Sequence, residues 1–463
     1  MTFVLQSPLA TTQGTRTGSG DEATQTGLSY NRTEAEFGLS DDPALAEASS
    51  RPAPPVTEPP EAAASSTAFN GTVHNVASVA DWNRAVAAVQ PGDQIRLTAN
   101  INANLKYRGR QGGRESPNAA DGTAEAPILI TAAADVWIDP GNTRNRQPGL
   151  DVMNTAHVHV VGIRVRNSQF GIRVQNSNGS ADAPMRIADN TVSDIGHAGI
   201  HIAGHLVTHE PSQYVEVAGN YVTRTGLTAD EFGEGIYLGY GSREWVDLSS
   251  NIRVANNQVT ATTAEGIDIK PGTRNVLVEN NMIHDISPIR GGAISAHYVG
   301  STANPNASQS SNVVIRNNRI WNINLNNKGG SNDWAIWVGH GGITIDSNYI
   351  WGMRNSSGEV RAVRVRGLQS FGPHPIVITN NVFWTATGWV AEGSPSGAAL
   401  VQSSNNSGPS GSSGVEQTIS PDEAVPAVGS GGGADGGSGP GSALGYEPAR
   451  TTTMEWLTGE PSL

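Results

Sequence analysis

The 463-residue chain contains no cysteine, which excludes a disulfide framework and any zinc site built on thiolates. Lysine is almost missing as well: Lys106, Lys270 and Lys328 are the only three, and arginine supplies the rest of the 29 basic residues. No apolar run approaches the roughly 18 residues of an ordinary membrane span. The stretch Met1–Ala10 lacks the basic start and apolar run of a secretory signal. Charged residues make up only 15% of the chain, yet the net charge is −13. Most of it sits at the ends. Residues 1–67 carry nine acids against three arginines, and 401–463 carry seven against one, leaving the middle near neutral. A chain without a basic footprint is not expected to bind nucleic acid. An anionic glycan stays compatible, provided basic side chains are concentrated locally.

The 55 glycines and abundant asparagines point to turn-rich β structure, because both residues serve turns and weaken helices. Residues 1–67 are rich in Ser, Thr, Pro and acids, ending in Arg51-Pro-Ala-Pro-Pro-Val-Thr-Glu-Pro-Pro60. With few large apolar groups they cannot offset the entropy of ordering, and are expected to be a disordered tail. Residues 401–463 are Gly/Ser-rich and acidic and are expected to be a second flexible tail. Between them, 68–400 is expected to form one repetitive domain. It opens near Val73, with Ser78 placed to cap a short helix Val79–Val89 that covers the end of the stack.

The repeat is explicit. Met185-Arg-Ile-Ala-Asp-Asn-Thr-Val, Val215-Glu-Val-Ala-Gly-Asn-Tyr-Val and Ile252-Arg-Val-Ala-Asn-Asn-Gln-Val share a pattern that continues from Val276, Val313, Ile343 and Ile376. Each copy is apolar-x-apolar, a strand with one buried face, followed by Asn190, Asn220, Asn257, Asn281, Asn318, Asn348 or Asn381 at a corner. The variable spacing suits a solenoid whose coils carry loops of different length. Those asparagines are expected to hold the coil, by occupying the left-handed corner and by bonding to the same residue one coil away. They are scaffold.

A second strand recurs between the copies, at Leu150-Asp-Val, Ile172-Arg-Val, Ile200-His-Ile, Ile236-Tyr-Leu, Ile267-Asp-Ile, Ile294-Ser-Ala, Ile336-Trp-Val and Val363-Arg-Val. The apolar pair points into the coil, so the residue between points out. Stacking builds a column of Asp151, Arg173, His201, Tyr237, Asp268, Ser295, Trp337 and Arg364, about 4.8 Å apart. Flanking columns hold Glu234, Glu265, Trp334, Lys270, His297 and Arg366. This mixture of acids, bases and aromatics is unlike an ordinary solvated sheet, and long loops flank it. Arg173, His201, Tyr237, Trp334, Trp337, Arg364 and Arg366 are candidates for holding a polysaccharide, although the two tryptophans serve equally as loop packing.

At the centre, Glu234 and Glu265 should lie one coil apart with Asp268 nearby. Carboxylates so close repel, so either one is protonated or a cation sits between them. An all-oxygen set of that kind suits Ca²⁺. Lys270 shares a strand with Glu265 and Asp268, and a solvated Glu265–Lys270 pair is its plainer explanation. Arg290 and His297 lie on the approach. The i, i+4 spacing of His197, His201, His205 and His209 does not make a zinc site, because the segment reads as a strand.

At these residues the chain resembles the right-handed parallel β-helix superfamily that includes pectate lyase-like and alginate/chondroitin lyase-like enzymes, along with bacterial β-helix repeat proteins of uncertain activity. The resemblance covers about 68–400 and implies an all-β solenoid of about 8–10 coils. It implies a polysaccharide partner, a monomer, and work outside the cell or at its surface. In the alginate/chondroitin lyase-like family, carboxylates on adjacent coils bind Ca²⁺, a nearby lysine is the base, and an arginine about twenty residues later assists. Glu234, Glu265 and Asp268 as ligands, with Lys270, Arg290 and His297 as catalytic groups, would follow that order, with burial lowering the Lys270 pKa. Two other functions stay open: a glycoside hydrolase using paired carboxylates, and a non-catalytic glycan-binding surface protein.

Overall fold

The computed structural model describes residues 71–109, 119–228, 232–241, 246–289, 291–296, 312–325, 334–339, 341–354, 360–366, 375–384, 387–392, 401–408, 415 and 417–418. The chain divides into Met1–Thr57 and Glu58–Leu463, and the first unit lies wholly outside the described residues. So does the rest of the expected N-terminal tail and most of the expected C-terminal one.

Three ladders of parallel strands wind into one coil, a right-handed parallel β-helix. The first ladder contains the asparagine-marked strands, such as Met185–Ala188, Gln213–Ala218, Ser250–Ala255 and Arg274–Glu279, paired residue for residue. The second contains the short strands after each corner, such as Thr191–Ser193 and Tyr221–Thr223. The third runs from Leu105–Arg108 through Pro148–Ala156, Phe170–Asn178, Ile200–Ala203, Ile236–Leu238, Ile267–Ile269, Ile294–Ala296, Trp334–Val338 and Arg361–Arg366 to Thr387–Glu392. Its register is the expected one, with Ile172, Ile200, Ile236, Ile267, Ile294 and Ile336 in one fully buried row.

The asparagine ladder forms as expected, with one correction. Asn190, Asn220, Asn257, Asn281, Asn318, Asn348 and Asn381 are buried, and each Nδ2 donates to Oδ1 of the next at 2.9–3.0 Å. The left-handed corner, however, belongs to the residue before. Asp189, Asn256, Asn280, Asn317, Ser347 and Asn380 have φ of 55–57°, and Gly219 has 67°. The strained backbone and the amide ladder are therefore divided between two adjacent positions.

The ladder also runs past residue 400. Asn381 donates to Asn406, Val401–Ser404 pairs with Ile376–Thr379, and Ser407–Gly408 pairs with Gln417–Thr418. Ser403 takes an inward position in this last coil, which hides its apolar-x-apolar pattern. At the other end the helix is Val79–Ala88, with Ser78 Oγ accepting from Asp81 N. Trp82, Ala85 and Val86 are buried, and the Trp82 indole donates to Lys106 O at 3.1 Å. Among the described residues no helix is long and apolar enough to cross a membrane.

Candidate functional site

Adjacent coils bring Glu234, Glu265 and Asp268 together. Gly199 N donates to Glu234 O and Gly235 N to Glu265 O, so the two glutamates occupy equivalent places on neighbouring turns. Tyr237 and Asp268 are in register three residues further along each turn. Carboxylate oxygens of the three acids lie within 4.8 Å of one another, and all three side chains are buried. Gly291 makes room for them: a Cβ there would strike Glu265 Oε1, and its φ of 75° suits glycine.

Lys270 completes the cluster. Its Nζ lies 2.5 Å from Asp268 Oδ2 and 5.0 Å from the Tyr237 ring centroid. The contact is a close charge pair rather than an aligned hydrogen bond, so Asp268 Oδ2 has no directional donor. Ser295 Oγ donates to Glu265 Oε1 at 3.2 Å. Burial, then the charge of Asp268, push the Glu234 carboxyl up to about 7, against the pull of Lys270. Burial and Asp268 likewise raise Glu265 well above the carboxylate range. Protonation relieves part of the repulsion that carboxylates at this distance impose.

The expected lowering of Lys270 is reversed. Desolvation does oppose its charge, but attraction from Asp268, Tyr237, Glu265 and Glu234 outweighs it and holds the ammonium well above its usual pKa. As it stands Lys270 is a counter-ion to the buried Asp268, with about a fifth of its own side chain in solvent.

The three acids pass a simple test for a hard divalent cation. The donors are all carboxylate oxygens, they converge within 4.8 Å, and one is buried without a directional donor. Lys270 would have to release Asp268 to admit the ion. Arg290 and His297 lie outside the described residues.

The remaining face is less open than a row of outward residues suggests. Asp151, His201, Asp268, Ser295, Trp337 and Arg364 are outside the coil yet buried. His201 meets Gly239 O through Nε2 at 3.1 Å and packs between the rings of Tyr237 and Tyr240. Trp334 and Trp337 are a buried pair with ring centroids 5.1 Å apart, and the Arg364 guanidinium lies 4.0 Å from the Trp334 ring centroid. Tyr237 and Arg173 remain partly exposed. Arg366 lies on its strand, but its side chain is outside the description.

Two residues of this face carry no mark in the repeat. Lys106 lies in register with Asp151, and Arg108 approaches Asp151 Oδ2 at 3.8 Å from the same strand. Leu105-Lys-Tyr has the apolar-x-apolar form, and that was the available signal.

Comparison with known proteins agrees with the architecture. Residues 149–307 match the family described as a right handed beta helix region. No curated protein matches the chain. Among solved structures, an alginate lyase from Paenibacillus sp. str. FPU-7 aligns at 20% identity over 72% of this chain and 99% of its own, with a TM-score of 0.54. Pectate lyase Pel9A aligns at 12% identity over 73% and 80%, with a TM-score of 0.41. A GH136 lacto-N-biosidase from Eubacterium ramulus aligns at 13% over 76% and 67%, with a TM-score of 0.42. Register, repeat and family match agree on the architecture: the chain folds as a right-handed parallel β-helix.

Proposed function

We propose that this protein cleaves a uronic-acid-containing polysaccharide by β-elimination, acting outside the cell or at its surface, where such polymers are met. The observation that carries this reading is the convergence of Glu234, Glu265, Asp268 and Lys270 on one face of the coil, with Tyr237 beneath the ammonium. The lyase from Paenibacillus shares the fold over nearly its whole length. At that identity the fold is all it contributes, so the reading stands on the site.

Glu234, Glu265 and Asp268 would hold Ca²⁺, which supplies charge to neutralise a substrate carboxylate and acidify the adjacent C5–H. The chain's own groups do the rest. Elimination moves the C5 proton to a base, forms the C4–C5 double bond and expels the glycosidic oxygen from C4, which then takes up a proton. Lys270 would be that base, and it needs the carboxylates' attraction relieved before burial can favour its neutral form. The partly exposed Tyr237 hydroxyl, which accepts from Gly241 N at 3.1 Å, stands one rung from Asp268 and can orient the sugar.

One feature favours a hydrolytic alternative: burial raises the Glu234 carboxyl to about 7 and lifts Glu265 well above its ordinary value, the direction a general acid needs. One carboxylate oxygen of each lies within 4.8 Å of the other, and a retaining pair needs a separation of roughly 5 Å.

The two chemistries leave different products. Uronate polymers incubated with the full chain and Ca²⁺ should give unsaturated ends that absorb in the ultraviolet. Lys270→Ala should remove that signal. New reducing ends without the chromophore would establish hydrolysis instead, and tight binding without either would establish a glycan-binding protein.

A further inference from the structure

The cation cluster at the N-terminal end of the same column has no part in the chemistry above. Lys106, Asp151 and Arg173 are consecutive rungs in register. Asp151 is 1% exposed and is held by Arg173 through two hydrogen bonds, Nε to Oδ1 at 3.0 Å and Nη2 to Oδ2 at 3.1 Å. Arg108 approaches the same carboxylate. The Lys106 side chain is exposed, while Arg173 and Arg108 keep about a fifth of their side-chain surface in solvent. Burial, and next the charge of Arg108, weaken the hold of Lys106 on its proton, and Arg173 adds to this against the pull of Asp151. Cations packed this closely repel, and an external anion would relieve them.

The position of the cluster gives it a meaning. Along the column the order is Lys106, Asp151, Arg173, His201, Tyr237, Asp268. Arg173 is three strand steps from Asp268, roughly 14 Å at the usual spacing. Gln175 and Tyr240 are joined by a 2.8 Å hydrogen bond and edge the space between. The chain carries −13, mostly at its ends, and its near-neutral middle offers a polyanion no long-range attraction. Only a local site would hold it.

We propose that Lys106, Arg108 and Arg173 form an anion subsite that takes a second carboxylate of the same polyuronate chain, so that the polymer lies along the stacking axis and is selected for repeated charge. This rests on the function proposed above. It adds a length and charge requirement that the carboxylate cluster alone does not impose.

The test compares a uronate hexamer with a dimer, by titration calorimetry on the full chain in a Glu265→Gln background that prevents turnover. Lys106→Gln should weaken hexamer binding about fivefold, and Lys106→Glu by more, with the dimer little affected. Arg319→Gln, which removes an exposed charge from another ladder, should leave both affinities unchanged. Arg173→Lys keeps the charge beside Asp151 and should fall between, losing the two-pronged geometry alone. If the hexamer binds and every Lys106 variant binds it equally well, the subsite is wrong while the lyase reading survives. If the wild-type chain neither binds nor cleaves any polyuronate, that reading fails and takes the subsite with it.

Discussion

Asn318 shows how much one side chain of the scaffold carries. It accepts from Asn281 N and Asn281 Nδ2, and donates to Val278 O and Asn348 Oδ1, all between 2.9 and 3.0 Å. Asn318→Ala would strand several buried groups and should lower stability by about 3 kcal/mol or more in denaturant unfolding. Asn317→Gly, one position earlier at the left-handed corner, should be close to neutral. Titratable residues give predictions of opposite sign. Burial lowers His201 and His159 to about 3 and His197 to about 4 from the ordinary 6.5. The unfolded chain takes protons that the folded one refuses, so their stability is present above about 6.5 and is lost as pH falls. The melting temperature should drop across that window, and His159→Gln should flatten the slope. Glu234 runs the other way. Its folded value of about 7 lies above the ordinary 4.5, so stability falls as pH rises between them. Glu234→Gln should keep or raise stability at neutral pH while abolishing turnover. That combination marks a residue kept for function. None of these magnitudes was legible in the sequence. The raised Lys270 least of all, because its sign depends on a sum over four neighbours that only the fold assembles.

Elements were more legible than residues. The triplet Ile-x-Ile fixes an inward pair and an outward residue, and register follows once one row is aligned, as Ile200, Ile236 and Ile267 show. The carboxylate cluster could therefore be placed before any coordinates, since Glu234 and Glu265 stand two residues before aligned strands. What the pattern hid was burial. His201, Trp334 and Trp337 occupy outward positions, but whether an outward residue meets solvent depends on loops that have no period. The strand Leu105–Arg108 escaped because a long insertion separates it from Pro148–Ala156, so no copy lies at the usual spacing. Val401–Ser404 escaped because serine replaces the second of its inward residues, at Ser403. At the N-terminal end, the helix Val79–Ala88 closes the stack through Trp82, which is 1% exposed. Trp82→Ala should cost about 3–5 kcal/mol. It should also promote association, read by light scattering, because the first strand edges lose their cover.

At the scale of the molecule, one coil presents two kinds of surface. The asparagine-bearing ladder is satisfied within itself, while the third ladder gathers acids and bases on its outer side. Three carboxylates and a lysine share its centre, and a knot of cations stands roughly 14 Å away along the same column. An apolar core could have been built without either, so both are read as retained for a ligand. The most direct measurement is turnover of a polyuronate by the full chain, followed as ultraviolet absorbance of unsaturated product with Ca²⁺ and then with chelator. Production with Ca²⁺, its loss on chelation, and its absence in both Glu265→Gln and Lys270→Ala are what this account expects. Undiminished unsaturated product from Lys270→Ala, or cleavage indifferent to chelation, would contradict it.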